Sequence, residues 1–260
     1  MLRTVQATRY VTPLREGGSL PAIVEADDLG LYVLKFRGAG QGAAALVAEL
    51  VAGEIGRALG MRVPELVLVD VGPELGRNEE DSEIRELLRA SVGVNLGMDY
   101  LPGSVMFNGA ARDPVDAQIA SMAVWFDAFV TNVDRTAKNP NLLYWHRQLH
   151  FIDHGAALYF HHDWRDLPER ARTAFPQVKA HLLLPWASQL RAADKMLRGR
   201  LAREVFAEIL SQVPDEWLLP EDAAPDAASK REQYLEYFLI RLEAADRFVE
   251  EAIRARSSLL

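Results

Sequence analysis

The sequence predicts an α+β, two-lobed fold, with a β-rich amino-terminal lobe carrying one helix (residues 1–100) and a mostly helical carboxy-terminal lobe containing a hairpin (residues 101–260). Three observations predict it. Residues 5–36 alternate short apolar runs with the turn stretches Glu16-Gly17-Gly18-Ser19 and Asp27-Asp28-Leu29-Gly30, which is the pattern of strands and turns. From about Gln41 to Leu59, Val47, Leu50, Val51, Ile55, Ala58 and Leu59 recur at helical spacing until Gly60 stops them. Beyond residue 163 the pattern is helical, most clearly over Met196–Val213 and Arg231–Arg256, with the loop Pro220–Asp226 between them.

Composition narrows the class. A chain of 260 residues with 49% hydrophobic and 25% charged residues is long enough to bury a full core. Its 29 basic and 37 acidic residues give a net charge of -8, which argues against a broad nucleic-acid or anionic-membrane surface. The absence of cysteine excludes disulfides and thiolate metal sites and suits a reducing cytoplasm. Met1–Gln6 turns polar too soon for a signal peptide, and no apolar run approaches the roughly 18 residues of a membrane helix. The expectation is a soluble, cytoplasmic protein, with no signature of its oligomeric state.

In the first lobe, Lys35 interrupts the apolar strand Leu31–Phe36. A lysine buried there needs an acidic partner, whereas one on a solvent face needs none. Two glutamates on the following helix qualify. Glu49 lies among the small residues Ala45, Ala52, Gly53 and Gly56, and Glu54 lies within the apolar stripe; periodicity leaves both open. Leu66–Asp70 reads as a strand, Glu79-Glu80-Asp81 opens an exposed helix or insertion, and Gly93–Gly103 is a short strand ending in a Pro-Gly turn.

The second lobe starts with a buried helix, Asp116–Val130, whose broad apolar face includes Ile119, Met122, Phe126 and Phe129. It delivers the chain to Asp134. After Asn139-Pro140-Asn141, the runs Leu142–Trp145 and Leu149–Ile152 read as a hairpin, which sets Asp153 beside Asn139. Each of these polar residues alone could simply cap its own loop. Together they match the needs of phosphoryl transfer: a free carboxylate, Asp134, to orient an attacking hydroxyl, and two oxygen donors, Asn139 and Asp153, for the magnesium that neutralises ATP phosphates. Arg135 and Lys138 flank Asp134, either to stabilise transferred charge or as solvated loop cations. Gly17-Gly18-Ser19 could bring backbone N–H groups onto phosphates, although it lacks a Walker pattern and also reads as a plain hairpin turn. Backbone groups of Met98, Asp99, Tyr100 and Leu101 could read an adenine edge, or form core and turn. Five of the six histidines fall between His146 and His162, but strand geometry separates His150 from His154 and no zinc site results.

These residues resemble the HipA-like kinases, in the compact bacterial branch that lacks the extra amino-terminal subdomain of HipA toxins. The most specific match is Asn132-Val133-Asp134-Arg135-Thr136-Ala137-Lys138-Asn139, similar to the family's Asn-x-Asp-x-His-x-Lys-Asn. The resemblance implies a protein-kinase-like fold with Asp134 as catalytic base, Asn139 and Asp153 as magnesium ligands, and Lys35 as the nucleotide lysine held by Glu49. It places the phosphate loop at Gly17-Gly18-Ser19 and the hinge at Met98–Leu101, and it implies a protein serine or threonine as acceptor, with Ser19 itself a possible target. Thr136 stands for the family's usual histidine, and Asp153 lies in Ile-Asp-His-Gly rather than a Tyr-Asp or Phe-Asp setting. Neither departure removes a catalytic group. A small-molecule alcohol is the alternative acceptor, and a nucleotide-binding pseudokinase or interaction module the alternative function.

Overall fold

The computed structural model describes residues 1–14, 20–40, 42–77, 79–109, 115–219 and 226–259. Five strands, β1 (Thr4–Pro13), β2 (Ala22–Ala26), β3 (Leu31–Lys35), β4 (Leu66–Val71) and β5 (Gly93–Asp99), close into a barrel of order β1-β2-β3-β5-β4. The closing pair, β1 with β4, is parallel, with Thr4 opposite Leu68 and Gln6 opposite Asp70. The sequence predicts these strands but not their closure, because the parallel pair joins segments some sixty residues apart. Side chains alternate across the barrel wall. Val24, Tyr32, Leu34, Val67 and Val69 fill its interior, while Val33, Leu66, Leu96 and Met98 pack outward onto the main core. Gly97 faces the crowded interior: a Cβ there would lie 2.6 Å from Val69 Cγ2 and 3.0 Å from Val67 Cγ2.

Helix α1 (Gly42–Ala58) is buried continuously from Leu46 to Gly53 because it lies between the barrel and the carboxy-terminal helices. Its small residues permit that approach, since a Cβ on Gly53 would meet Leu66 Cδ1 at 2.7 Å. The charged segment resolves as α2 (Ser82–Ala90), whose first turn is capped by Asp81 accepting from Glu83 N at 2.9 Å. It is no detached insertion, since it buries Leu88 against the barrel interior with Ile84 and Leu87 beside it.

In the second half, α3 (Ala117–Phe129) is capped by Asp116 and buried from Ala123 to Phe129. A three-stranded sheet follows from β6 (Val105–Met106), β7 (Leu142–Trp145) and β8 (Gln148–Phe151). The β7–β8 turn is the pair His146-Arg147, both at positive φ (+48° and +63°), as a two-residue hairpin requires. The remaining helices are α4 (Leu167–Ala171), α5 (Leu190–Arg198), α6 (Arg203–Ser211), α7 (Asp215–Leu218), α8 (Ala227–Glu243) and α9 (Ala245–Ser257).

Each of the two long stretches expected from periodicity is in fact a pair of helices. Gly199 ends α5, and its neighbour Arg200 bonds the Leu59 carbonyl. At Ala244 the chain turns so that Phe238 of α8 and Phe248 of α9 both reach the Phe129 ring, at 5.9 and 6.4 Å. Periodicity continues across such breaks because both halves face one core. The expected loop Pro220–Asp226 lies outside the described residues except for Asp226, which caps α8 through Ser229 N at 2.7 Å. Among the described residues no helix is long and apolar enough to cross a membrane.

Candidate active site

Lys35 ends β3 on the same outward face as Val33, the face covered by α1. Its Nζ donates to Glu49 Oε2 at 2.7 Å and to Asp153 Oδ1 at 2.6 Å. The Glu49 side chain is 1% exposed and that of Asp153 49%, so one arm of this pair is desolvated and the other is screened by water. Burial favours neutral Lys35, but the two carboxylates outweigh it and hold its pKa above the ordinary lysine value. Burial likewise pushes Glu49 up, and Lys35 with His154 more than reverses it. Glu54, the other glutamate open to the sequence, pairs instead with Arg57 at 3.2 Å.

Asp153 follows β8 with φ at +55°, a left-handed conformation that is costly for a residue with a side chain. The hairpin enforces it. Ile152 N donates to Asn141 O at 3.1 Å and Phe151 N to Arg62 O at 2.8 Å, so the chain enters Asp153 on fixed rails. The Ile152–Asn141 bond brings the two outer ends of the hairpin together, as the sequence predicts.

The loop between α3 and β7 is braced by its own side chains. Asn132 Oδ1 accepts from Asp134 N at 3.1 Å, Thr136 Oγ1 accepts from Asn139 N at 3.3 Å, and Asn139 Nδ2 donates to Asp134 Oδ2 at 2.6 Å. A carboxylate only accepts, so this last bond turns the amide nitrogen of Asn139 toward Asp134 and leaves Asn139 Oδ1 for another partner. It also leaves Asp134 Oδ1 unengaged by Asn139.

Beneath this loop lies a charge cluster that sequence reasoning missed. Arg135 is neither a solvated cation nor in reach of a transferred group: its side chain is 0% exposed. Its Nε donates to Asp127 Oδ2 at 2.5 Å, and Nη1 donates to the carbonyls of Asn141 and, at 3.4 Å, Ile152. His181 Nε2 meets the same Asp127 Oδ2 at 2.9 Å, and Asn132 Nδ2 donates to Asp127 Oδ1 at 2.9 Å. Burial alone would raise the Asp127 pKa, but Arg135 and His181 hold it well below the carboxylate range. Arg135 thus ties the Asp134 loop to both ends of the hairpin that carries Asp153. His181 comes from beyond residue 163, the stretch that the sequence marks only as helical. Asp127 carried a legible signal, as the one charged residue inside a mostly apolar helix.

The model of the HipA-like kinase family matches residues 8–251. The chain belongs to the HipA-like kinases. In fold it is similar to the crystal structure of the Helicobacter pylori proinflammatory kinase CtkA, with a TM-score of 0.56 and 14% identity over 99% of each chain. The Golgi casein kinase with Mn/ADP bound covers 96% of this chain and 73% of its own at a TM-score of 0.47 and 12% identity. No curated protein matches the sequence. The fold is accordingly α+β and protein-kinase-like, and the family is one of phosphotransferases.

In this HipA-like kinase the Asp-His-Gly histidine, His154, is 1% exposed. Its Nδ1 lies 3.6 Å from Glu49 Oε1, and its ring meets Phe126 edge-on at 5.6 Å. Thr136, in place of the family histidine, serves the loop through its hydroxyl. Lys138 is exposed and without a partner among the described residues. At the expected hinge, Met98 shares the outward face of Lys35 and is 7% exposed. Asp99 N and Tyr100 N are taken by Glu65 O and Leu31 O at 2.8 and 2.9 Å, whereas Leu101 N makes no hydrogen bond among the described residues. Burial and the nearby Glu65 raise the Asp99 pKa. The expected phosphate loop, Gly17-Gly18-Ser19, lies outside the described residues.

Proposed function

We propose that this HipA-like kinase transfers the γ-phosphoryl group of ATP to a hydroxyl, most directly that of a protein serine or threonine, with a small-molecule alcohol as the alternative acceptor. The observation that carries the reading is the pair of hydrogen bonds from Lys35 to Glu49 and Asp153, which joins the end of a barrel strand to helix α1 and to the chain leaving the hairpin. Lys35, oriented by Glu49, positions the phosphates. Asp153 and Asn139 offer a carboxylate and an amide oxygen, hard donors that suit Mg2+ completed by water and phosphate oxygens; the bound cation would neutralise phosphate charge. Asp134 holds the acceptor hydroxyl in line and takes its proton as the new oxygen–phosphorus bond forms and the bond to the bridging oxygen breaks, its electron pair leaving with ADP. Leu101 N offers a donor for the adenine edge, and the resemblance to the family implies that residues 17–19 serve the phosphates. In this reading residues 1–100 and 101–260 are the two lobes around the nucleotide.

Mg-ATP at a hundredfold over its dissociation constant should stabilise the protein by about 2.7 kcal/mol, read as a thermal shift. Incubation with ATP should add a phosphate mass to the protein itself or to a lysate protein. Asp134→Asn should keep the thermal shift and lose transfer by about 10²–10⁴-fold, the usual contribution of a general base. Equal labelling by parent and variant would remove Asp134 from its role, and no shift with Mg-ATP would remove the nucleotide site.

A further inference from the structure

Thr136 and His181 pair through their backbones in an isolated antiparallel bridge, and Leu182 N donates to Arg135 O at 3.0 Å. A segment from the carboxy-terminal half is therefore stitched to the loop that carries Asp134. That segment is itself fixed: a 3₁₀ turn, Pro176–Ala180, precedes it, and Leu183 and Leu184, both 0% exposed, follow it in the main core. Backbone pairing would hold with any side chain at position 181. The imidazole has a separate task.

A backbone N–H only donates, so Leu183 N, 3.0 Å from His181 Nδ1, makes that nitrogen an acceptor. The ring is then neutral with its proton on Nε2, which donates to Asp127 Oδ2 at 2.9 Å. The His181 side chain is 3% exposed and that of Asp127 0%, so neither bond has a ready substitute from solvent. Asp127 Oδ2 is shared between Arg135 and His181, while Oδ1 accepts from Asn132 Nδ2 at 2.9 Å. That bond turns the amide oxygen of Asn132 the other way, onto Asp134 N at 3.1 Å. From the imidazole to Asp134 there runs one line of hydrogen bonds, in which each bond fixes the orientation of the next.

We infer that His181 is a positioning residue for phosphoryl transfer: it fixes the Asp127 carboxylate and, through Asn132, the direction in which Asp134 presents its own carboxylate to the acceptor hydroxyl. Its buried ring touches neither nucleotide nor acceptor. The inference rests on the kinase reading above and goes beyond it by placing control of Asp134 in the carboxy-terminal half of the chain. Without the Nε2–H donor, Asp127 Oδ2 keeps only Arg135, the carboxylate turns toward the guanidinium, and Asn132 follows it. A misplacement of about 1 Å at a reacting group costs about 10²-fold in rate, so turnover changes and nucleotide affinity does not.

The two ring nitrogens can be replaced one at a time. His181→Gln sets an amide N–H near the place of Nε2, keeping the donor to Asp127 and giving up the acceptor for Leu183 N. His181→Asn sets an amide oxygen near the place of Nδ1, keeping that acceptor and leaving Asp127 without the donor. The full chain of each is incubated with lysate, Mg2+ and labelled ATP, and the initial rate of phosphate incorporation is followed against ATP concentration. His181→Asn should lower the maximal rate by about ten- to a hundredfold, with KM for ATP and the Mg-ATP thermal shift at the parent values, and His181→Gln should restore the rate. Asn132→Ala should slow transfer in the same way, and adding His181→Asn to it should slow it no further, the non-additivity of groups in one network. Equal rates for parent and His181→Asn, or His181→Gln as slow as His181→Asn, overturn the role, as does a fall in rate that comes with a lost thermal shift. If His181→Asn does not fold, a parent rate for His181→Gln together with a slow Asn132→Ala supports the role, and failure of either overturns it. Labelling by the parent leaves the kinase reading standing in all these cases, whereas no labelling by the parent removes that reading and this one with it.

Discussion

Replacing Lys35 by Met tests the centre of the site through stability alone. The Met side chain keeps most of the aliphatic volume of the lysine and deletes the charge that Glu49 faces at 2.7 Å. At an effective dielectric of about 20, that attraction is about 6 kcal/mol gross. Part of it offsets the desolvation of both groups, and breaking a buried pair by removing one partner costs about 3–5 kcal/mol net. The Asp153 arm adds little, because that carboxylate is half exposed and water takes over its solvation. Urea denaturation at pH 7 should therefore show Lys35→Met destabilised by about 3–5 kcal/mol. The double variant with Glu49→Gln should recover much of the loss, since no unpaired buried charge remains.

The pH dependence separates this account from lost packing. In the parent, the Glu49 pKa is depressed from 4.5 to about 2, so its contribution is complete above the unfolded value and disappears as pH falls through the folded one. Without Lys35, burial, already the largest single influence, is opposed by His154 alone and raises the folded pKa above the unfolded one. The folded variant then takes up a proton first and gains relative stability as pH falls from neutrality. The gap between parent and variant should be widest near pH 7 and narrow toward pH 5. A gap below about 1 kcal/mol, the size of an exposed pair, would refute the buried ion pair. A gap that stays constant from pH 8 to 5 would assign the loss to packing instead.

Arg135→Met should cost about 3–5 kcal/mol by stranding Asp127, which is 0% exposed; a loss under 1 kcal/mol in the same urea titration would contradict the cluster. Gly97→Ala should cost about 1–3 kcal/mol by overpacking the barrel interior, where its Cβ would sit 2.6 Å from Val69, and a neutral result would show that the barrel can relax around it.

What could be read from the sequence was what depends on local spacing. Strand alternation over residues 5–36, the helix ending at Gly60 and the hairpin after Asn139 all follow from neighbours in the chain, and the structure places each where periodicity does. The Lys35–Glu49 choice was open to periodicity because α1 is buried on nearly every side, which erases the polar face that would have told Glu49 from Glu54; the family resemblance selected Glu49. Barrel closure by β1 and β4 and the entry of His181 into the Asp127 cluster depend on contacts across 54 residues or more, for which no local pattern exists. Arg135 misled for a related reason. A cation in a polar loop reads as solvated unless its partner is known, and the partner here is a lone acid on the preceding buried helix.

The burial of α1 also bears on how the two halves of the site can move. Lys35 belongs to the barrel, whose interior is a separate cluster built from residues such as Tyr32, Leu34, Val67 and Val69. Glu49 belongs to a helix whose core is continuous with α3 and the carboxy-terminal helices. Displacement of the barrel alone would slide its outward residues Val33, Leu96 and Met98 over the main core while stretching the Lys35–Glu49 bond. The ion pair would then report barrel position, because its desolvated Glu49 arm loses the most when the two surfaces separate.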